Sequence, residues 1–375
     1  MAAARELYLD WNATTPPHPL VLEAMHAARS FAWANPASVH AAGRRARAAL
    51  DDARAELAAL LERDPRDVVF TSGGTEANNL ALAGATTLIT SRLEHPSVTR
   101  VAEASAERGL DVRWARARPD GQIDLEALER ALEPVTAGSV VAVAAVNHET
   151  GVVQPLREVS ELVRAAGARL HVDAVQAVGR LPKNVWLFGD TLAVAAHKLR
   201  GPKGIGALAT RPGLVPRPVL LGGSQERGLR PGTVDAIAAV GFAAAVRRAE
   251  ESAARYAALA PLRDSIERTL GAAVRVNGHE SPRAHHVSSL VFDGRRGDEL
   301  VAALDLEGVR VSAGSACTAG TSEPSAVIAA MHDRARALAT LRVSLGEDTT
   351  GPEVTEFIGT LARILRRGSQ PSGGA

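Results

Sequence analysis

The segment from Ser139 to Asp173, SVVAVAAVNHETGVVQPLREVSELVRAAGARLHVD, decides the fold. Residues 139–147 form a continuous apolar run, which is typical of a strand that is buried on both faces. Residues 155–166 are predicted to be a helix, and residues 168–173 form a second strand. Alternation of this kind predicts an α/β fold with an open, mainly parallel sheet and helices on both faces.

The same alternation extends to both sides of this segment and then changes. Further strands are predicted at 67–72, 86–91, 111–116, 191–198 and 204–210, with helices at 75–84, 95–109 and 125–134. An Ala-rich helical stretch at 235–260 is followed by strands near 286–292 and 309–312 and by helices near 297–305, 324–331 and 352–366. The later pattern predicts a second, smaller α+β domain, and residues 368–375 are predicted to be a disordered tail.

Composition and charge exclude several classes of partner. The 375 residues carry a net charge of +1, with no basic stripe, so neither nucleic acid nor an anionic membrane is expected as a partner. The first 17 residues contain no apolar stretch of signal-peptide length, and no apolar run reaches the ~18–20 residues that span a bilayer. A single cysteine excludes an internal disulfide and fits a reducing compartment. We therefore expect a cytoplasmic protein.

Ligands of open α/β sheets bind beyond the carboxyl ends of the strands, so the residues at those ends are informative. In TSGGTEANN (71–79) a strand ends, two glycines turn the chain and a helix begins near Thr75. The N–H groups of such a helix start suit a phosphate, although an ordinary turn capped by Thr75 explains the segment equally well.

Two charged residues follow other strands. Asp173 ends one buried strand, where it either caps the next helix or meets a cationic partner. His197 and Lys198 end the strand predicted at 191–198, and Lys198 is either a loop lysine or a desolvated nucleophile. An aspartate and a lysine at neighbouring strand ends, with a phosphate turn upstream, are what pyridoxal phosphate requires: an amine for the Schiff base and a carboxylate for the pyridine nitrogen.

The sequence resembles the cysteine desulfurases of the class V aminotransferase-like, fold-type I pyridoxal-phosphate enzymes, in the branch with a long cysteine loop. The resemblance extends from YLDWNATTP (8–16) to LRVSLGE (341–347). The matching motifs include NPASVH (35–40), VNHETGVVQP (146–155), HVDAVQAVGRLP (171–182), HKLRGPKGIGAL (197–208), GGSQERGLRPGT (222–233) and SAGSACTAGTSEPS (312–325). It implies a large domain of residues 14–252 with a seven-stranded sheet, and a small domain of residues 1–13 and 253–367.

The resemblance also implies roles for individual residues. Lys198 would bind the cofactor covalently and move protons, and Asp173 would pair with the pyridine nitrogen. Gln176 would contact the 3-oxygen of the ring, and His95 would lie against the ring face as an acid–base group. The phosphate would be held by Gly74, Thr75 and His197 and, across a homodimer, by Thr233 of the partner subunit.

The substrate implied is L-cysteine, with its carboxylate bound by Asn35 and Arg342, because a guanidinium matches a carboxylate bidentately. Cys317, in a segment of Ser, Gly, Ala and Thr that we expect to be a flexible loop, would take up the sulfur as a persulfide and pass it to an acceptor protein. An iron–sulfur scaffold, a tRNA-thiolation protein and a carrier for cofactor synthesis are the alternatives for that acceptor. The other interpretation of Cys317 is a small buried apolar residue.

Two positions depart from the family pattern in the predicted cofactor pocket. His148 replaces the second asparagine of Asn-Asn-Glu, which is expected near the 3-oxygen of the cofactor; its ring can donate there and also titrates near neutral pH. Ala195 replaces a serine that normally donates to the phosphate, so we expect weaker retention of the cofactor.

Other functions of proteins with this fold remain as alternative interpretations of the sequence. A selenocysteine lyase, another lyase or a true aminotransferase would share the cofactor, but a transaminase would leave Cys317 unexplained. A cofactor-free regulator would not need Lys198 or Cys317, and both are present. No metal site is predicted.

Overall fold

The computed structural model describes residues 6–136, 138–314 and 324–367. The strands are β1 (Leu7–Tyr8), β2 (Val68–Thr71), β3 (Thr87–Ser91), β4 (Asp111–Ala115), β5 (Val140–Ala144), β6 (Arg169–Asp173), β7 (Thr191–Ala195), β8 (Gly206–Thr210), β9 (Arg275–Val276), β10 (Val287–Val291), β11 (Val309–Arg310) and β12 (Thr340–Ser344). The helices are α1 (Pro19–Ala28), α2 (Ala41–Leu61), α3 (Gly74–Leu82), α4 (Pro96–Glu107), α5 (Leu125–Ala131), α6 (Leu156–Ala165), α7 (Ala236–Val246), α8 (Ala249–Ala257), α9 (Ala260–Leu270), α10 (Gly297–Leu306), α11 (Ala326–Met331), α12 (Arg334–Leu338) and α13 (Gly351–Arg367).

The large sheet has seven strands in the order β2-β8-β7-β6-β5-β3-β4. Neighbouring strands from β7 to β4 pair in parallel, and β8 runs antiparallel to both β2 and β7. Every residue of β5, β7 and β8 is buried, as expected for strands that are covered on both faces. The predicted α/β class with a mainly parallel seven-stranded sheet is confirmed.

Strand direction brings three chain turns to one edge of this sheet. Because β8 is antiparallel to both of its neighbours, β2 and β7 point the same way, and β6 is parallel to β7. Gly206, the first residue of β8, pairs with Thr71 at the end of β2 and with Ala195 at the end of β7. The turns that follow β2, β6 and β7 therefore meet at this edge.

Gly206 also allows the chain to approach closely at this edge. A Cβ atom at this position would lie 2.7 Å from the Cα of Gly73 and 2.6 Å from the carbonyl oxygen of Val194. Both neighbours are backbone atoms, which cannot rotate away. The absence of a side chain therefore lets the start of α3 lie against the first residue of β8.

A second sheet has its own apolar core. Strands β12, β10 and β9 form an antiparallel sheet, and β1 pairs in parallel with β11. Buried residues of the N-terminal segment and of the later helices pack together, among them Leu9, Phe292 and Phe357. This core supports the proposed small domain of residues 1–13 and 253–367, whose boundaries stay a prediction. The predicted tail, 368–375, lies outside the described residues.

Two predicted elements are wrong in their extent. The Ala-rich stretch 235–260 is not one helix but α7, α8 and the start of α9, because Arg248 at the first break is buried and pairs with Glu347 at 3.0 Å. The strand predicted at 191–198 ends at Ala195, and residues 196–198 form a 3₁₀ turn. The N–H groups of Leu199 and Gly201 both donate to Ala196 in that turn.

Candidate active site

A cavity of about 210 Å³ lies at the edge where β2, β6 and β7 end. Most of the residues predicted for the cofactor line it, together with residues that the sequence did not single out. The predicted residues on its wall are Gly74, Thr75, His95, His148, Asp173, Gln176, His197 and Lys198. The structure thus brings together side chains that are up to 124 positions apart in the chain.

The start of α3 forms one end of the cavity. Gly73 precedes the helix without any side-chain cap, so the first backbone N–H groups of this nine-residue helix have no capping side chain. A Cβ atom on Gly74 would lie 2.7 Å from Cγ2 of Val175 and 3.7 Å from Cβ of Ala195. This end of the cavity is therefore bounded by Val175 and Ala195 and suits an anion at the helix start.

Asp173 supplies the carboxylate in the cavity wall. Its Oδ1 accepts a hydrogen bond from the N–H of Val175 at 3.0 Å, and its Oδ2 accepts one from Nδ2 of Asn78 at 2.7 Å. The side chain is buried. Asp173 therefore caps the following turn at Val175, as the alternative interpretation expected. Its second carboxylate oxygen also contacts α3, through Asn78.

Lys198 is placed by the 3₁₀ turn after β7. Its Nζ donates to the carbonyl oxygens of Asn12 and, at 2.7 Å, of Ala13. The N-terminal segment therefore forms part of the cavity wall. Gln176 contacts the same segment, since its Nε2 donates to the carbonyl of Asn12 at 3.0 Å.

Two histidines lie side by side on the wall. His95 is the N-cap of α4, and its Nδ1 accepts the N–H of Ser97 at 3.1 Å. The ring of His148 meets that of His95 edge-on, with centroids 5.2 Å apart. His148 also lies 3.5 Å from Oε1 of the buried Glu149. Burial raises the pKa of Glu149, but the neighbouring His148 and Ser325 and the charge of Arg342 together hold it below its usual value.

Buried titratable groups surround the site. Burial and the nearby charge of Asp173 raise the pKa of Glu94 well above its usual value. Burial lowers the pKa of His171 to about 4. Burial, and to a smaller extent the charge of Lys198, lowers the pKa of His197 to about 3. Both imidazoles are therefore neutral at pH 7, and His197 acts toward any anion as a hydrogen-bond donor.

These two histidines predict sensitivity to acid. In the unfolded chain each histidine takes up a proton near pH 6.5, whereas the folded pKa values are lower. The free energy of unfolding should therefore fall as the pH drops from about 6.5 toward 4, with each histidine contributing up to about 1.4 kcal/mol per pH unit. Urea unfolding of the cofactor-free protein between pH 7 and pH 5 measures this slope.

The matched variants are His171→Gln and His26→Gln. His171→Gln removes a buried titrating ring. The difference in bound protons between the unfolded and folded states should fall by about one, so the unfolding free energy should depend less steeply on pH. The second changes an exposed ring, and its slope should equal that of the wild type. An unchanged slope in His171→Gln would contradict the prediction.

Two predicted residues, Asn35 and Thr233, lie elsewhere. They line a second cavity of about 170 Å³ together with Arg54, Gln225 and Glu226. The single chain does not bring Asn35 or Thr233 to the wall of the Lys198 cavity. For Thr233 this agrees with the predicted role toward a partner subunit.

Arg342 is buried beside the first cavity but is not on its wall. It donates to Oδ1 of Asp10 at 2.7 Å and to the carbonyl oxygen of His148 at 3.0 Å. Its Nε has no hydrogen-bond partner among the described residues. Binding of a substrate carboxylate by Arg342 stays a prediction, and Cys317 lies outside the described residues.

Sequence reasoning missed Asn78 and Ser97, which also line the cavity. Asn78 lies within the motif TSGGTEANN and follows Gly74 by four residues, which is one helical turn. That spacing was a usable signal. Ser97 carried no such signal, because its role depends on the contact between α3 and α4.

The side chains in the cavity fit pyridoxal phosphate. An uncapped helix start suits the phosphate, a buried carboxylate suits a protonated pyridine nitrogen, and the amine of Lys198 is on the same wall. Fold and site together define a class of α/β enzymes that use this cofactor.

Comparison with known proteins specifies the family. The sequence profile of the aminotransferase class-V family matches residues 7–357, and the chain belongs to this family. The cysteine desulfurase of Frankia sp. (strain EuIK1) is 41% identical over 387 aligned residues, which cover 96% of this chain and 91% of the relative. The predicted resemblance is confirmed, while its assignment to the long-cysteine-loop branch stays a prediction.

Solved structures agree with this result. A structure described as a NifS-like protein superposes with a TM-score of 0.87 at 31% identity and covers 97% of this chain and 100% of its own. A structure described as SspA in complex with cysteine has a TM-score of 0.78 at 29% identity and covers 92% and 100%. Within the described ranges, no helix is long and apolar enough to cross a membrane.

Proposed function

We propose that this chain is a pyridoxal-phosphate-dependent cysteine desulfurase, which converts L-cysteine to L-alanine and leaves the sulfur as a persulfide on Cys317. The observation that carries the proposal is the meeting of Lys198, Asp173 and the uncapped start of α3 in one cavity. The activity of the relative that is 41% identical supports the same reaction.

The residues of this chain have separate tasks in the reaction. When bound, pyridoxal phosphate supplies an electron sink for the bonds at the substrate carbon atoms. Asp173 holds a positive charge at the pyridine nitrogen, and the N–H groups at Gly74 and Thr75 hold the phosphate. Lys198 moves a proton at its Nζ, and Arg342 binds the substrate carboxylate; the predicted help of Asn35 does not come from the cavity of its own chain, because Asn35 lines the second cavity.

Cys317 completes the reaction. Its thiolate attacks the sulfur of the substrate, so that a sulfur–sulfur bond forms and the Cβ–S bond breaks. The electron pair of the broken bond stays with the three-carbon fragment, which takes up a proton and leaves as L-alanine. The terminal sulfur of the persulfide is then a sulfane sulfur, two electrons more oxidised than sulfide, and it stays on Cys317 until an acceptor protein removes it.

Mass spectrometry of the Cys317 peptide tests the function. The protein is loaded with pyridoxal phosphate, exposed briefly to L-cysteine and digested without reductant. We expect one additional sulfur atom on this peptide and L-alanine in solution, and neither with Cys317→Ser. L-cysteine consumption without sulfur on Cys317 would favour a lyase or an aminotransferase instead.

A homodimer is part of the proposal. Among the described residues, nine of the ten exposed large apolar side chains come from two segments, 20–39 and 215–221, with Trp33 66% and Leu221 93% exposed. Pro36, in the first segment, and Ser224, which follows the second segment, both line the second cavity. Exposed apolar patches of this kind are typical of protein interfaces.

Sedimentation of the Trp33→Asp, Leu221→Asp double variant tests the dimer. We expect the wild type to sediment as a dimer and the variant as a monomer, because two charges would be placed in the apolar interface. The control is Leu306→Asp, which changes the exposed apolar residue outside both segments and should leave the dimer intact. A wild-type monomer would contradict this part of the proposal.

Ala195 is expected to weaken retention of the cofactor. Its Cβ lies at the phosphate end of the cavity, beside the position that a Cβ atom on Gly74 would occupy. Ala195→Ser restores a hydroxyl there, and a hydrogen bond to a charged group contributes about 1.5–3 kcal/mol. The dissociation constant of pyridoxal phosphate should therefore fall by about 10- to 150-fold.

Equilibrium dialysis of the two proteins against pyridoxal phosphate checks this change. Ala193→Ser is the control, because Ala193 lies on the same strand and packs under α3 away from its first turn. It should not tighten binding. Equal affinity of Ala195→Ser and the wild type would show that another group already holds the phosphate.

The sulfur acceptor and the location complete the proposal. A persulfide on Cys317 requires an acceptor protein, with an iron–sulfur scaffold, a tRNA-thiolation protein and a cofactor-synthesis carrier as the alternatives. A cytoplasmic location stays a prediction of the sequence.

A further inference from the structure

A buried asparagine on α3 joins two residues of the cavity wall. Nδ2 of Asn78 donates to Oδ2 of Asp173 at 2.7 Å and to Oγ of Ser97 at 2.8 Å. Oδ1 of Asn78 lies 2.9 Å from Nε2 of His171. The side chain of Asn78 is 1% exposed. One amide therefore makes three contacts in the protein interior.

The chemistry of each partner determines the direction of these hydrogen bonds. A carboxylate only accepts, so the amide nitrogen must face Asp173 and the amide oxygen must face His171. Nε2 of His171 therefore carries its proton, and its Nδ1 accepts from the hydroxyl of Thr191 at 2.8 Å. The low pKa of His171, caused by burial, agrees with a neutral ring.

The second branch reaches His95. Because Oγ of Ser97 accepts from Asn78, its own hydrogen is directed to Nδ1 of His95, 2.8 Å away. Nδ1 of His95 also accepts the N–H of Ser97. A nitrogen that accepts in this way carries no proton, so the neutral ring of His95 carries its proton on Nε2.

We propose that Asn78 is a positioning residue for the reaction, which orients Asp173 directly and, by directing the hydroxyl of Ser97, strengthens the second of the two hydrogen bonds that keep Nδ1 of His95 unprotonated. The carboxylate and the imidazole lie on different elements, β6 and the start of α4, and Asn78 connects them from a third, α3. His95 then presents a hydrogen-bond donor at Nε2. The role of Asn78 in the reaction rests on the proposed function, whereas the order of the hydrogen bonds is a property of the cofactor-free protein.

Nitrogen NMR of the cofactor-free protein tests the hydrogen-bond order. With histidine labelled by ¹⁵N, two-bond proton–nitrogen correlations distinguish Nε2–H from Nδ1–H rings, and His95→Gln identifies the signal. We expect Nε2–H for His95 in the wild type and a measurable share of the Nδ1–H tautomer in Asn78→Leu, because only the backbone N–H of Ser97 would then be held as a donor to Nδ1. Asn277→Leu is the matched control, because Asn277 is also buried and makes hydrogen bonds to Ser289, Thr340 and Arg336 in the second core.

Kinetics of the loaded protein test the connection to the reaction. Asn78→Leu should lower kcat for L-cysteine by about 10- to 100-fold, the size found for outer-shell partners of metal-bound histidines. KM should change by less than about 3-fold, because Asn78 is not predicted to contact the substrate. Asn277→Leu should have wild-type kinetics even if it is equally destabilised.

Ser97→Ala provides a second variant with an intact Asn78. It removes the hydroxyl that connects Asn78 to His95, so the His95 tautomers should mix while the contact with Asp173 remains. If Asn78→Leu does not fold, the His95 tautomer and the kcat of Ser97→Ala test the proposal by themselves. An unchanged His95 tautomer would overturn the proposal, and so would an altered tautomer with unchanged kcat. Failure of the proposed function would instead appear as absent turnover in the wild type, with its NMR signals as expected.

Discussion

Replacement of Lys198 by alanine is expected to lower L-alanine formation from L-cysteine by at least about 10⁴-fold. General acid–base work alone contributes about 10²- to 10⁴-fold, and Lys198 is proposed to attach the cofactor covalently as well. The persulfide on Cys317 should disappear with the L-alanine. Chromatographic measurement of L-alanine and mass spectrometry of the Cys317 peptide provide two independent measurements.

Two further variants distinguish the nucleophilic role of the Lys198 amine from the effect of its positive charge. Lys198→Arg keeps a cation that can donate to the carbonyls of Asn12 and Ala13, but a guanidinium does not act as the amine nucleophile. It should be as inactive as Lys198→Ala. Lys203→Ala removes an exposed lysine of the same loop and should retain wild-type activity. Activity of Lys198→Arg within about 10-fold of the wild type would contradict the covalent role.

Removal of either member of the buried Arg54–Glu226 pair is expected to cost about 3–5 kcal/mol of unfolding free energy. Two nitrogen–oxygen contacts of 2.6 and 2.7 Å join the two side chains, which are 6% and 3% exposed. Glu226 also accepts the N–H of Phe70 at 2.8 Å. Removing one partner leaves an uncompensated charge in the interior, and that charge causes the loss of stability.

This pair also holds an unusual turn beside the second cavity. Glu226, Arg227 and Gly228 are consecutive residues with φ values of 47°, 60° and 77°. Left-handed backbone costs free energy in residues other than glycine, so the contacts of Glu226 must maintain the turn. Disruption of the pair should therefore also affect the nearby Thr233, which is proposed to serve the partner subunit.

Urea unfolding of Arg54→Met and Glu226→Gln measures the effect. The control is Arg47→Gln, which removes the exposed ion pair between Arg47 and Asp51, with side chains 59% and 49% exposed, and keeps the contact of Asp51 with Arg54. Exposed pairs contribute less than about 1 kcal/mol. A loss of the same size in all three variants would show that the buried pair is not the stabilising feature.

Much of the candidate active site could be predicted from the sequence, because the end of a strand can be recognised from the residues near it in the chain. The chain direction of β6 and β7 follows from strand–helix alternation, so Asp173 and Lys198 were expected at one edge. Their partners were harder to predict. Asn78 and Ser97 are ordinary polar residues until α3 and α4 pack together and place them 2.8 Å apart.

The helix breaks could not be predicted either. The Ala-rich stretch 235–260 consists mostly of good helix formers, and its one glycine, Gly241, lies inside α7, so local propensity does not indicate where a helix ends. The break at Arg248 depends on Glu347, which is 99 residues later. The second cavity has the same origin, since Asn35 and Thr233 meet only because distant segments pack against each other.

The sequence by itself determined the α/β class, the succession of strands and helices along the chain, the family, and the lysine and aspartate of the candidate cofactor site. These properties follow from short-range periodicity and from residue types at strand ends. Only the tertiary structure decided which side chains contact each other. It placed eight predicted residues on one cavity wall, Asn35 and Thr233 on another, and the amide of Asn78 between Asp173 and Ser97. Hydrogen bonds and ion pairs depend on distances of about 3 Å between atoms, and packing of remote segments sets those distances.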